Sequence, residues 1–164
     1  MVDAALVKEL EFLENDKSKV YLDSNGYPSI GVGHLLTKSE LSSGQIIIGG
    51  VPVKYAAGLT EQQIQALLNQ DLKDAEDAIV RLVRVPLTQC QLDALTSWVF
   101  NVGGGALAQS TLLKLLNAKQ YDQVPAQMTR WTKDRHGNVV PGLVRRRAIE
   151  AYMWQGLDSN GCAH

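Results

Sequence analysis

The stretch that decides the fold runs from Glu14 to His34 and reads Glu14-Asn-Asp-Lys-Ser-Lys-Val-Tyr-Leu-Asp-Ser-Asn-Gly-Tyr-Pro-Ser-Ile-Gly-Val-Gly-His34. Before it, residues 3–13 place apolar side chains at the three- and four-residue spacing of a short helix. Within it, the strong turn signal Ser24-Asn25-Gly26 separates two segments with strand propensity. The stretch therefore predicts a helix end followed by a small antiparallel hairpin.

The size and composition of the chain are those of an ordinary globular protein. It has 164 residues, of which 45% are hydrophobic and 20% charged. This length fits one domain, or two small lobes that share a linker. A chain of this length buries roughly 70% of the surface that its unfolded form exposes, so a core can form without a disulfide or a metal. The net charge of −1 argues against a nucleic-acid partner. The first residues lack a basic start and a long apolar run, so we expect no secretory signal. No stretch approaches the roughly 20 apolar residues of a membrane span, so we expect no stable membrane insertion. We also expect a monomer.

The rest of the chain predicts helices with one β-like interruption. Residues 37–41 predict a single helical turn. Gln45–Val53 is β-like and is expected to pack on the first lobe, with an exposed partner site as the alternative. The capping box Thr60-Glu-Gln-Gln63 begins a long helix that must end before Pro86. Further helices are predicted from Thr88 to Val102, stopped by Gly103-Gly104-Gly105, and over about residues 111–117, 122–133 and 142–154.

This order of elements predicts an α+β fold. A small β-containing N-terminal lobe covers about residues 12–59, and an all-α C-terminal lobe covers about residues 84–156. A long helix over about residues 60–83 joins them, and a short tail, residues 157–164, follows.

The cysteines and histidines predict no metal site. Cys90 lies within a helical pattern and Cys162 near the end of the chain, and both are expected to be free thiols. Neither cysteine has the spacing of a metal ligand, and the three histidines are far apart in the sequence. We therefore expect neither a metal nor a cofactor.

Two carboxylates in the opening stretch suit the cleavage of a glycosidic bond, which needs a proton donor and a group that holds water or attacks. Glu14 borders an apolar helix face near a helix C-terminus, and both surroundings raise the pKa of a carboxyl. Asp23 precedes a polar turn and should stay ionised. The Ser29 hydroxyl follows on the returning strand. Judged from the residues alone, Glu14 could also be a solvated side chain, and Asp23 could serve only to form the turn.

The spacing Glu14, Tyr21, Asp23, Gly26 and Ser29, followed by Ile-Gly-Val-Gly-His-Leu-Leu, resembles the phage-type (T4-like) lysozymes or endolysins of glycoside hydrolase family 24. The resemblance covers about residues 5–155 and continues in Gly58-Leu-Thr-Glu, Asp71-Leu, Leu87-Thr-Gln-Cys-Gln-Leu-Asp-Ala-Leu, Phe100-Asn-Val-Gly, Ser110-Thr-Leu-Leu, Arg130-Trp131 and Pro141-Gly-Leu-Val-Arg-Arg-Arg.

Two departures from the family pattern lie in the opening stretch. Asn15 stands where the family usually has Gly, and Asn also tolerates the left-handed conformation that ends helices. Ser29 stands where the family usually has Thr, so the hydroxyl is kept but the methyl group that restricts χ1 is lost.

The resemblance implies a lysozyme-like two-lobe fold with a catalytic role for three residues. Glu14 would be the general acid, and Asp23, helped by Ser29, would orient the attacking water with inversion at the anomeric carbon. Inversion requires the two carboxylates to lie roughly 6.5–9.5 Å apart. By the same resemblance, three residues would bind substrate: Leu35, Phe100 and Asn101. Phe100 could equally be a core residue.

The implied function is hydrolysis of the β-1,4 bond between N-acetylmuramic acid and N-acetylglucosamine in peptidoglycan glycan strands, for host-cell lysis. The enzyme would be made in the cytoplasm of the bacterial host and reach the wall through a holin-type pore. Two alternatives stay open: a lytic transglycosylase, which needs the acid but no water-holding aspartate, and a non-catalytic peptidoglycan-binding module on the same fold.

Other residues of the resemblance are expected to be structural. His34 is expected to pair with Asp71 on the long helix. Of Arg145, Arg146 and Arg147, one is expected to face Glu14 and the others to form a solvated face. Three tryptophans at helical positions are expected in the core: Trp98, Trp131 and Trp154.

Overall fold

A computed structural model describes residues 17–23 and 25–156. Its elements, in order, are β1 (Lys17–Leu22), β2 (Pro28–Gly31), β3 (His34–Leu35), α1 (Lys38–Ser43), β4 (Gln45–Ile48), β5 (Val51–Lys54), α2 (Glu61–Leu82), α3 (Gln89–Val102), α4 (Gly104–Gln109), α5 (Thr111–Asn117), α6 (Val124–Met128) and α7 (Pro141–Trp154). This order confirms the predicted α+β class. The helix predicted at residues 3–13 lies outside the described residues.

The described residues fall into two compact units, one that ends at Asp71 and one that begins at Leu72. In the first unit, strands β1, β2 and β3 form an antiparallel sheet in that order. Ile30 of β2 is fully buried, as the predicted hairpin requires if it is to pack on a core. Gly31 adopts a φ of +64° against the side chains of Ile64 and Leu67, where a non-glycine residue would be strained.

A second hairpin, β4–β5, belongs to the same unit. Gly49 and Gly50 connect its strands with φ angles of 59° and 83°, the left-handed conformations that a tight two-residue turn needs. Ile46 and Ile48 are buried, whereas Ile47 between them points outward. The side chain of Gln70 on α2 donates to the Ile47 carbonyl at 3.0 Å and accepts from the Gly49 N–H at 3.3 Å. The prediction that this segment packs on its own lobe is confirmed.

Helix α2 begins with the predicted capping box. The Thr60 N–H donates to Gln63 Oε1 at 2.9 Å, and the Gln63 N–H donates to Thr60 Oγ1 at 3.2 Å. Its 22 residues span about 33 Å. The buried side chains repeat every three or four residues, which is the pattern of an amphipathic helix: Ile64, Leu67, Leu68, Leu72, Ala75, Ala78 and Ile79.

The core of the second unit surrounds α3, which packs against α7. The Thr88 hydroxyl caps α3 by accepting from the Gln91 N–H, as the sequence predicts. Trp98 is fully buried and Trp154 is 5% exposed, which confirms both as core residues.

The glycine run after α3 does not end all helical structure. Gly103 alone takes a left-handed φ, of 91°, and Gly104 and Gly105 already belong to α4. The prediction that this run stops the helix is confirmed, since α3 ends at Val102 directly before Gly103, but the sequence did not predict α4.

The helix predicted over residues 122–133 is too long. A 3₁₀ turn over Tyr121–Gln123 leads into α6, which ends at Met128. An isolated bridge between Lys133 and Val139 then draws the chain into an extended conformation. Trp131 falls outside the helix and is 40% exposed, so its assignment to the core is wrong.

The expectation of free cysteines is wrong for Cys90, which is buried and disulfide-bonded. Cys162 lies outside the described residues. Sequence spacing did not reveal this bond, because pairing depends on which distant parts of a chain the fold brings together.

The close approach of α4 to α2 at Gly104 can be tested by substitution. A Cβ at Gly104 would lie 2.9 Å from the Ala78 Cβ, whereas a Cβ at Gly105 would meet nothing within 4 Å. Both Gly→Ala changes gain helix propensity, so their difference isolates the clash. We expect Gly104→Ala to be less stable than Gly105→Ala by about 1–3 kcal/mol, measured by urea unfolding. Equal free energies of unfolding would contradict the close contact.

Candidate active site

The structure describes two of the three predicted catalytic residues. Glu14 lies outside the described residues, so its role and its separation from Asp23 stay predictions. Asp23 and Ser29 lie in the first unit, at and beside the β1–β2 hairpin.

Asp23 holds the connection after β1 with only one of its carboxylate oxygens. Its Oδ1 accepts from the N–H groups of Asn25 and Tyr27, both at 2.8 Å. Its own N–H donates to the Tyr27 carbonyl at 2.9 Å. Asp23 is therefore a turn former, as the simpler interpretation expected. Among the described residues, Oδ2 accepts no hydrogen bond, so this oxygen can still hold a water.

Ser29 and Leu35 lie side by side on the first sheet. The strand register pairs Tyr21 with Ser29 and Ser29 with Leu35, so the three side chains form one row on one face. Ser29 is 2% exposed, whereas Leu35 is 51% exposed. The Lys17 ammonium lies 4.1 Å from the centroid of the Tyr21 ring at one end of this row. The sheet thus presents an exposed apolar side chain beside a shielded hydroxyl.

Phe100 and Asn101 lie next to each other in the last turn of α3, in the second unit. Phe100 is half-buried, and the guanidinium carbon of Arg146 lies 5.8 Å from its ring centroid. Asn101 is exposed, and its Oδ1 accepts from Arg147 Nη2 at 3.0 Å. Buried charges on α7 therefore contact both predicted substrate-binding residues of this unit.

Those charges form a buried cluster that the sequence interpretation missed. Arg146, Arg147 and Glu150 are 3%, 0% and 0% exposed, so only Arg145 of the arginine run fits the predicted solvated face. Glu150 Oε1 accepts from Ser97 Oγ at 2.8 Å and Arg146 Nε at 3.1 Å, and Glu150 Oε2 lies 2.8 Å from Arg147 Nε. The three- and four-residue spacing of these arginines from one glutamate was the available signal.

The cluster also affects the ionisation of the Glu150 carboxyl. Burial raises the pKa of the Glu150 carboxyl, and the charges of Arg147 and Arg146 oppose that rise. Each buried charge depends on the others, because removing one partner of such a group costs about 3–5 kcal/mol.

A second charged group connects three elements of the first unit. His34 Nδ1 lies 2.9 Å from Asp71 Oδ2 on α2, which confirms the predicted pair. His34 Nε2 lies 3.4 Å from Glu40 Oε1, a contact that the sequence did not predict. Burial alone lowers the pKa of His34, but Asp71 and Glu40 raise it above its ordinary value of 6.5. The other oxygen of Glu40 accepts from the Thr37 N–H at 2.8 Å and so caps α1.

The sequence and the fold both match known proteins. The family model described as phage lysozyme matches residues 11–150. The chain belongs to the phage lysozyme family. Among this lysozyme's relatives is an endolysin of Salmonella phage P22, which is 40% identical over 127 residues, 77% of this chain and 80% of that protein.

Solved structures of the family share the α+β fold of this lysozyme. The muramidase domain of SpmX from Asticaccaulis excentricus has a TM-score of 0.74 and 30% identity, covering 94% of this chain and 97% of that one. A P22 lysozyme variant has a TM-score of 0.72 and 34% identity, covering 94% and 98%. This lysozyme is a glycoside hydrolase, and the comparisons favour neither the transglycosylase nor the non-catalytic alternative. Within the described part of the chain, no helix has the length and apolar character to cross a membrane.

The ion pairs of His34 predict a pH-dependent stability. Because the pKa of His34 is raised on folding, the stabilisation is full below about pH 6.5 and is lost as the pH rises through the raised value. We expect Asp71→Asn to lower the free energy of unfolding by about 1.5–3 kcal/mol near pH 6, and by less at pH 8–9. Urea unfolding across this range measures it.

The matched control is Asp74→Asn, which removes an exposed carboxylate from the same helix. This change should leave stability within about 0.5 kcal/mol at every pH. A constant difference between Asp71→Asn and the unchanged protein from pH 6 to pH 9 would contradict a charged His34.

Proposed function

We propose that this lysozyme hydrolyses the β-1,4 bond between N-acetylmuramic acid and N-acetylglucosamine in bacterial peptidoglycan, and that this hydrolysis lyses the host cell. The observation that carries the proposal is the phage lysozyme match over residues 11–150, which includes the whole hairpin stretch with its two carboxylates and its hydroxyl. The endolysin and muramidase names of its relatives support it.

In the proposed mechanism, Glu14 protonates the glycosidic oxygen as the bond breaks. Asp23 orients a water for attack on the opposite face of the anomeric carbon, which inverts the configuration. Asp23 Oδ2, which accepts no hydrogen bond among the described residues, suits this role, since Oδ1 is held by two backbone N–H groups. Ser29 contributes a hydroxyl on the adjacent strand as a second contact for the same water.

The remaining predicted site residues are proposed to contact the glycan. Leu35 offers an exposed apolar surface beside Ser29, suited to the apolar face of a sugar ring. Phe100 and Asn101 offer a partly exposed ring and an exposed amide at the end of α3. No metal or cofactor is required, because an acid and a water-orienting carboxylate suffice for inversion.

The catalytic roles of Glu14 and Asp23 predict that substitution of either residue lowers activity, and that the loss is larger for Glu14. Glu14→Gln should abolish lysis of purified cell walls, since an amide cannot supply the proton. Asp23→Asn keeps Oδ1 and its two backbone hydrogen bonds but removes the charge, and should lower the rate by about 100-fold or more. Release of reducing sugar and thermal unfolding should be measured together.

Asp134→Asn is a closely matched control. Asp134 Oδ1 also accepts from the N–H groups two and four residues ahead, those of His136 and Asn138, at 2.8 and 2.9 Å. It belongs to the other unit, so only the turn chemistry is shared. Asp134→Asn should keep wild-type activity. Wild-type lysis by Glu14→Gln, or equal losses in Asp23→Asn and Asp134→Asn, would refute the assignment.

The products separate hydrolysis from the transglycosylase alternative. Hydrolysis leaves a reducing muramic end, whereas a transglycosylase leaves an anhydro end that is lighter by one water. A mass spectrum of the fragments should show reducing ends, and a predominance of anhydro ends would contradict the mechanism. Tight binding to walls without release of any fragment would instead indicate a binding module.

The delivery route is a separate proposal, which rests on the expectation drawn from the sequence. The lysozyme is stored in the cytoplasm of the bacterial host and reaches the wall through a holin-type pore. Expression in a host cell should then cause lysis only when a pore-forming protein is coexpressed. Lysis at the same time without the pore would refute this route and leave the enzymatic proposal intact. The disulfide of Cys90 suits action outside the cytoplasm, since disulfides persist in oxidising compartments.

A further inference from the structure

The contact between Arg147 and Asn101 determines which way the Asn101 amide points. Arg147 Nη2 lies 3.0 Å from Asn101 Oδ1. A guanidinium group has only donors, so the amide atom that faces it must be the acceptor oxygen. The Asn101 NH₂ group is therefore directed away from Arg147. This orientation follows from donor and acceptor chemistry, which removes the usual ambiguity between the oxygen and nitrogen of an amide.

Arg147 is itself held in place. It is fully buried, its Nε lies 2.8 Å from Glu150 Oε2, and its Nη2 also donates to Glu150 Oε1 at 3.0 Å. Glu150 is held in turn by Ser97 and Arg146. The two N–H bonds of Nη2 are thus committed to Glu150 and Asn101. Turning the amide over would place its NH₂ against a buried cation and forfeit a charge-assisted hydrogen bond, so the observed orientation is strongly favoured.

The Asn101 amide is presented at the surface. Asn101 is exposed in the last turn of α3, next to the half-buried Phe100. An NH₂ group of fixed orientation on an exposed residue is a pair of donors, and it selects a ligand that offers an acceptor. Beside a partly exposed aromatic ring, this arrangement suits a sugar that carries an amide carbonyl.

We propose that Arg147 is a positioning residue, which holds the Asn101 side chain so that its NH₂ group donates to an amide carbonyl of the bound glycan. This inference rests on the proposed function. Peptidoglycan offers that carbonyl from two sources: the N-acetyl groups of its sugars, and the lactyl amide that joins N-acetylmuramic acid to its stem peptide. The two sources share one chemistry and are separated by the choice of substrate.

The discriminating variant is Asn101→Asp. A carboxylate accepts from Arg147 more strongly than an amide does, so the α3–α7 contact is kept, but both donors to the substrate are lost. On soluble glycan strands that carry stem peptides, we expect KM to rise about tenfold and kcat to stay within about twofold. The melting temperature should be unchanged or higher. A merely structural Asn101 predicts the same KM as the wild type.

Two controls separate this effect from added charge. Gln109→Glu makes the same amide-to-carboxylate change at the exposed last residue of α4, and should leave KM unchanged. The pH profile of kcat should be the same in Asn101→Asp and the wild type, since a changed profile would mean that the new charge perturbs the catalytic acid and would overturn the proposal.

A second variant tests the positioning role of Arg147. Arg147→Lys keeps the charge but loses the forked donors, so KM should rise at temperatures well below its melting temperature. If Arg147 acts through Asn101, Arg147→Lys should raise KM no further in the Asn101→Asp background. Independent, multiplying increases in KM would overturn the role.

Two substrate arms identify the carbonyl. If the lactyl amide is the acceptor, the tenfold KM difference between wild type and Asn101→Asp should vanish on strands stripped of stem peptides. If an N-acetyl group is the acceptor, the difference should vanish on strands whose sugars are de-N-acetylated. A difference that persists in both arms, or an unchanged KM on intact strands, would overturn the inference. A wild-type protein that cleaves none of the three substrates would refute the proposed function instead.

Discussion

The second unit depends on the hydrogen bonds and ion pairs of the buried Glu150 carboxylate. Its two oxygens lie within 3.1 Å of Ser97 Oγ and of the guanidinium groups of Arg146 and Arg147. Taking such charges out of water is unfavourable, and their attraction offsets that cost only if every partner keeps its position. The cluster therefore fixes how α7 packs on α3. Through Arg147 and Arg146 it also holds the amide of Asn101 and lies against the ring of Phe100.

The first unit also contains a group of paired charges, but these side chains are partly exposed. His34 lies between the carboxylates of Asp71 and Glu40 and so connects β3 to α2 and α1. The side chains of His34 and Asp71 are 13% and 18% exposed, so water still reaches this group and the pH can change its charge. The Glu150 cluster is shielded from water. The first unit thus contains a partly exposed ion pair in which the pKa of His34 is raised by Asp71 and Glu40, and the second contains one that is buried.

Several features could be read from the sequence because they depend on neighbouring residues. The cap residues Thr60 and Thr88 marked where α2 and α3 begin, since a hydroxyl satisfies N–H groups only two or three positions ahead. The hairpin and the turn at Asp23 were local in the same way. The predicted helix at residues 122–133 was too long, because α6 ends at Met128 and Lys133 pairs in an extended conformation with Val139, six residues further along the chain.

By itself, the sequence determined the α+β class, the long helix, the family and the candidate acid, water-orienting residue and hydroxyl, because each of these is encoded in short spacings. Only the tertiary structure decided the environment of each side chain. It buried two of three consecutive arginines, left Trp131 partly exposed, bonded Cys90 and directed the Asn101 Oδ1 toward Arg147. The physical reason is that burial, and contacts such as those of Ser97 with Glu150 and of Asn101 with Arg147, depend on residues dozens of positions away, which no local spacing records.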